Sequence, residues 1–208
     1  MLPNVDHLVY AAPGLDAGIE AMAERLGVTA AYGGKHTGIG THNALLSLGR
    51  SAYLEIIAPD PDQPTPTESL PFGLSELHEP GLVAWALTVT DIESLAESAR
   101  GAGYDPGPVI QMSRALHAGG DLSWRLALRR PAAGDGLVPF LIQWEPGPHP
   151  SASSPGGCTL TDLTAEHPRP DDVSTMLSAL GVDLSLAEAA RPALIATIEG
   201  PHGTVVLT

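Results

Sequence analysis

The 208-residue sequence has one cysteine, Cys158, one lysine, Lys35, and few aromatic residues: two Phe, three Trp and four Tyr. A lone cysteine cannot close an internal disulfide, and no Cys/His pattern has zinc-finger spacing, so a reducing compartment is the natural setting. Basic residues number 10 against 24 acidic, a formal net charge of −14. No basic cluster exists to neutralise successive phosphates, which argues against nucleic acid and anionic membrane surfaces as partners. No apolar run approaches the roughly 20 residues of a membrane span, and no targeting pattern opens the chain. These absences set the expectation of a soluble, cytoplasmic protein. What the chain does have is apolar content, 43% against 16% charged, which excludes disorder and favours a sheet-rich globule with an ordinary core.

The main organising signal is a repeat. Three short helical patterns end in an apolar residue followed by glycine, at Leu26-Gly27, Ala102-Gly103 and Leu180-Gly181, near-evenly spaced along the chain. Their core stripes are Ile19, Met22 and Leu26; Ile92, Leu95 and Ala99; and Val173, Met176, Leu177 and Leu180. Asp91 suits an N-cap and Pro170 a first-turn position. An extended segment precedes each helix, beginning near Val5, Leu82 and Thr159, and three more follow each glycine. The expected fold is therefore α+β: repeated β-α-β-β-β units forming paired, curved, mixed sheets around a cleft, with a third, degenerate copy. Residues 1–58 and 82–146 are the first two units, together making a domain over 1–150. Residues 59–81, with Pro59, Pro61, Pro64, Pro66 and Pro71, are a stiff linker, and 158–208 are the third unit. One sheet face lies under a helix and the other is bare, so two copies pair to shelter their bare faces. The third is left without a partner inside the chain unless it completes a homodimer or packs against the linker.

The stretches Val5-Asp6-His7-Leu8-Val9-Tyr10, Gly40-Thr41-His42-Asn43-Ala44-Leu45-Leu46, Tyr53-Leu54-Glu55-Ile56-Ile57 and Pro139-Phe140-Leu141-Ile142-Gln143-Trp144 resemble the glyoxalase-like branch of the vicinal oxygen chelate superfamily. The resemblance implies a cleft that takes a small molecule, and metal ligands on the first and fourth strands of each unit. His7 and Glu55 are suitable ligands for divalent zinc, nickel, manganese or iron. In the second unit, aligning the helix starts puts Ala84 opposite His7, and aligning the strand ends puts Gln143 opposite Glu55. Neither replaces a strong ligand.

Strand alternation sorts the remaining candidates, if the face with the large apolar residues lies under the helix. In the first unit this sends Val5, His7 and Val9, then Asn43, Leu45 and Ser47, then Tyr53, Glu55 and Ile57 to the cleft. In the second it buries Val83, Trp85, Leu87 and Val89, with Trp124, Leu126 and Leu128 and with Phe140, Ile142 and Trp144. Arg125 and Gln143 then face inward. The expected site gathers Glu55 as general base or ligand, His7 as ligand or acid, and Asn43, Arg125 and Gln143 as holders of an oxyanion or carboxylate. Gly33-Gly34-Lys35-His36-Thr37-Gly38-Ile39-Gly40 precedes a strand and lacks Walker spacing, so it reads as a mobile hairpin loop at the cleft mouth, from which His36 reaches a ligand. Two functions fit: an enzyme of lyase, isomerase or dioxygenase type acting on a small oxygenated molecule, or a protein that binds and sequesters such a molecule without catalysis.

Overall fold

The computed structural model describes residues 4–64, 69–115 and 121–208, so Pro66 of the linker lies outside the described residues. The order is β1 (Val5–Ala11), α1 (Leu15–Leu26), β2 (Ala31–His36), β3 (Thr41–Ser47), β4 (Tyr53–Pro59), a 3-10 turn at Pro71–Glu76, β5 (Gly81–Thr88), α2 (Ile92–Gly101), β6 (Val109–Ala115), β7 (Asp121–Ala127) and β8 (Phe140–Trp144). A one-turn helix α3 (Pro150–Ser153) leads into β9 (Thr159–His167), α4 (Pro170–Ala179), β10 (Ser185–Glu188), β11 (Ala193–Gly200) and β12 (Gly203–Leu207). Local chemistry explains the helix ends. Asp91 caps α2 by accepting from the Ser94 N–H, and Gly27 ends α1 in the left-handed region, at φ 79°, where a side chain is disfavoured.

Strands β1 to β8 form one mixed sheet in the order β2-β3-β4-β1-β5-β8-β7-β6. The two halves join along the antiparallel β1–β5 pair, and the sheet curls until its edge strands β2 and β6 approach each other. This mixed α+β half-barrel is the expected fold class. The convex side carries α1 and α2, and its core includes Leu8, Met22, Leu46, Leu54, Ile56 and Trp85. The concave side has its own apolar cluster, including Val9, Ile57, Ala84, Ala86, Trp124, Phe140 and Ile142.

The remaining residues depart from a third copy. Their element order is the same, but their sheet runs β10-β9-β11-β12. In the first half β1 pairs in parallel with β4, the last strand of its unit; here β9 pairs in parallel with β10 and antiparallel with β11. The small sheet also finds its partner within the chain. Leu160, Leu163, Ala196, Ile198 and Leu207 join the convex core with Val173 and Leu177 of α4, and the β11–β12 turn docks on the end of α1, where His202 Nδ1 bonds the Glu24 carbonyl oxygen at 2.8 Å. It backs the large sheet and leaves the concave side open to a ligand.

Two local readings also change. β2 continues through Gly33, Gly34 and Lys35 to His36, so the mobile loop shrinks to a turn over 37–40. In β1 the pairing with β5 slips between Val5 and His7, leaving Asp6 as the extra residue of a bulge. A bulge interrupts strict alternation, and Val5 packs in the convex core.

Candidate functional site

The concave face encloses a cavity of about 510 Å³. Its polar end is built by the first half. His7, Asn43 and Glu55 are all buried, on β1, β3 and β4, and β2 brings His36 to the same cavity. Glu55 Oε1 accepts a 2.6 Å hydrogen bond from Asn43 Nδ2, while Glu55 Oε2 lies 3.6 Å from His7 Nε2. Asn43 Nδ2 is also 3.2 Å from His36 Nε2, and His36 Nδ1 is 2.8 Å from Thr41 Oγ1. The consistent assignment has the Asn43 amide donating to both Glu55 and His36, and His36 Nδ1–H donating to Thr41. Gly33 makes the packing possible: a Cβ there would collide with Asn43 Oδ1 and come within 3.0 Å of Leu45 Cγ.

His7 is held from behind by a residue that alternation overlooked. Asp6 Oδ1 lies 2.7 Å from His7 Nδ1, and Asp6 Oδ2 accepts from Trp144 Nε1 at 2.8 Å and from His149 Nε2 at 3.2 Å. The Asp6 side chain is wholly inaccessible. Burial alone would push its carboxyl up, but the hydrogen bonds from His149 and His7 outweigh it and hold the group well below the ordinary carboxylate range. An ionised carboxylate only accepts, so His7 Nδ1 carries the proton and Nε2 is the nitrogen turned toward Glu55. The His7 ring stacks on Tyr53 at 4.6 Å and meets the edge of Phe140 at 5.3 Å. The sequence signal for Asp6 was a carboxylate inside an apolar strand. His149 sits in a Pro/Gly/Ser stretch with no periodicity to betray it.

The expected second-half residues lie elsewhere. Arg125 is on the helix side, 3.7 Å from Glu93 Oε1 of α2, and Gln143 Oε1 accepts the Ile92 backbone N–H at 2.8 Å, closing the first turn of α2. Neither lines the cavity. The faces of β7 and β8 are the reverse of those expected: Ala127 and Leu141 belong to the convex core, whereas Trp124, Leu126, Leu128, Phe140, Ile142 and Trp144 form the cavity wall. The physical reason is that this wall is as apolar as a core, while α2 presents mainly small buried residues, Ala96 and Ala99. Trp85 alone of the tryptophans is a convex core residue, its indole N–H donating to the Leu137 carbonyl at 2.8 Å.

Register also corrects the alignment of the halves. His7 pairs with Ala86 and Val9 with Ala84 across β1–β5, so a two-fold exchange of the strands matches His7 to Ala84 and Val9 to Ala86. Val9 pairs with Glu55 and Ala86 with Phe140, so Phe140, not Gln143, stands opposite Glu55. Both second-half ligand positions are therefore apolar. Among the described residues, no three His, Cys, Asp or Glu side chains are grouped to hold a metal ion. Catalytic zinc sites ordinarily use three protein ligands, and His7 and Glu55 with a His36 already accepting from Asn43 do not fit a resident metal.

Comparison with known proteins agrees with this architecture. The chain matches the family model of the glyoxalase-like domain over residues 5–181. A hypothetical protein from Staphylococcus aureus of known structure shares the fold at 18% identity and a TM-score of 0.64, covering 97% of this chain and 83% of that one. Methylmalonyl-CoA epimerase from Mycobacterium tuberculosis is 23% identical with a TM-score of 0.45, over 74% of this chain and 97% of its own. No curated protein matches the chain. Among the described residues no helix is long and apolar enough to cross a membrane. The chain belongs to the glyoxalase-like domain family.

Proposed function

We propose that this protein is an enzyme that moves a proton on a small oxygenated organic molecule, in the manner of an isomerase or lyase, within residues 1–150. The observation that carries this is the His7–Glu55 pair, 3.6 Å apart, at the buried end of an apolar cavity, with His7 oriented by an ionised Asp6. Glu55 Oε2 takes a proton from a carbon next to a carbonyl; the C–H bonding pair becomes a C=C bond as the carbonyl π pair moves onto oxygen, giving an enolate. His7 Nε2 receives that proton from Glu55 and returns it to the substrate, restoring both side chains. Asn43 fixes the carboxylate through Oε1 so that Oε2 is presented. A low-dielectric wall strengthens each of these interactions.

A second reading, a protein that binds without turnover, is favoured by Ala84 and Phe140, which make half of the site apolar. The two readings separate in deuterated water with a set of aryl alkyl ketones, by following α-proton exchange by NMR. Exchange that is catalysed by the wild-type protein and lost in Glu55→Gln, with binding retained, supports the enzyme. Binding with no exchange in either protein supports the carrier.

A further inference from the structure

The cavity is chemically lopsided, and the imbalance specifies what enters it. One wall consists of Ile110 and Met112 from β6, Trp124 and Leu126 from β7, and Phe140 and Ile142 from β8. Rings dominate its shape: Trp124 and Trp144 lie 5.4 Å apart at 50°, and Phe72, from the linker turn, covers Phe140 at 5.8 Å. Flat faces of this kind favour a flat, apolar body. At the polar end the amide and imidazole N–H donors around Glu55 are already committed, while the Thr41 hydroxyl, beyond His36, accepts from it and keeps its own proton. Asn43 Nδ2 is engaged with Glu55 and His36, and His7 Nδ1 with Asp6. The two atoms that face each other there, Glu55 Oε2 and His7 Nε2, are both acceptors. A ligand group aimed at this pair must therefore bring a donor, and a carboxylate or phosphate would bring only acceptors and a like charge into a buried place.

We propose that the ligand is an uncharged, aromatic small molecule whose hydroxyl, or whose C–H acidified by a neighbouring carbonyl, is directed at Glu55, and that anionic analogues of the same shape are rejected there. This rests on the cavity's being the ligand site, as the proposed function does, but not on proton transfer. Among the described residues Arg130 is the one guanidinium lining the cavity, following the end of β7, and is the competing anchor for an anion.

The test compares 2-naphthol with 2-naphthoate, which share a ring system, by calorimetry at neutral pH. Wild-type protein is expected to bind the naphthol at least about tenfold more tightly, the size of effect that one unpaired charge produces. In Glu55→Gln the gap is expected to shrink to about threefold or less, because the like charge is gone. In Arg130→Gln the preference is expected to persist. Equal or tighter binding of 2-naphthoate, its loss in Arg130→Gln, or binding of neither compound overturns the proposal. A naphthoate preference with ketone exchange intact removes the ligand class and leaves proton transfer standing; a naphthol preference without exchange of any ketone does the reverse.

Discussion

Replacing Asp6 by asparagine is the sharpest perturbation of the polar end, because it keeps shape and removes one acceptor and one charge. Asp6 serves three N–H donors, His7 on Oδ1 and Trp144 and His149 on Oδ2. An asparagine oxygen can take only one side. Serving Trp144 and His149 turns the new amide toward His7 Nδ1, which must then become an acceptor and move its proton to Nε2. One hydrogen bond to a charged group, worth about 1.5–3 kcal/mol, is lost, together with the charge that faces His149. We expect Asp6→Asn to cost about 2–4 kcal/mol by urea unfolding at pH 7. The pH dependence follows from the depressed carboxyl. Its folded value lies below the ordinary 3.8, so its stabilisation is complete above that value and is lost as pH falls below it. The stability difference between wild type and Asp6→Asn should thus shrink progressively below about pH 4. Long-range proton–nitrogen NMR should show the His7 proton on Nδ1 in the wild type and on Nε2 in the variant, with α-proton exchange reduced about 10–100-fold, as when an orienting partner is removed. Unchanged stability at pH 7, an unchanged acid limb and an unchanged tautomer would refute the reasoning.

Gly33→Ala forces a Cβ against Asn43 Oδ1 and should cost about 1–3 kcal/mol, as overpacking does, while weakening ligand binding through the displaced amide; thermal denaturation and calorimetry check both. Arg125→Ala should leave ligand affinity unchanged within about twofold, since its partner is Glu93 on the opposite face, and a larger loss would return Arg125 to the cavity. Gln143→Ala should lower stability by about 1 kcal/mol through the lost bond to Ile92 N–H, again without changing affinity. Dialysis against chelator should leave the unfolding midpoint unchanged; stoichiometric metal surviving dialysis would show that the ligand count is wrong.

The order of strands and helices was legible because glycine C-caps, Asp91 and apolar stripes act locally. The first-half site was legible too, since Leu8, Leu46, Leu54 and Ile56 separate cleanly from His7, Asn43 and Glu55 on alternating positions. The second half failed on the same rule. Trp124 and Phe140 are large and apolar, but they line a cavity, and the polar Arg125 and Gln143 find their partners at the start of α2. Alternation tells which residues share a face; it does not tell which face is which when both are apolar. Asp6 escaped because a bulge is invisible to a period of two, and His36 was placed at the cavity but on a loop, because Gly33 and Gly34 looked like loop where Gly33 serves close packing in β2. Strand pairing in the last 50 or so residues is non-local, so an unchanged element order concealed a different sheet.

The most direct test of the polar end as the working end is a crystal structure with an aryl alkyl ketone bound. The carbon next to the carbonyl is expected within about 3.5 Å of Glu55 Oε2, the near-attack distance, with the ring against Trp124 and Phe140 and His7 still bonded to Asp6. A ketone whose oxygen points to Arg130 with its ring over Glu55, or one bound outside the concave face, would contradict the account.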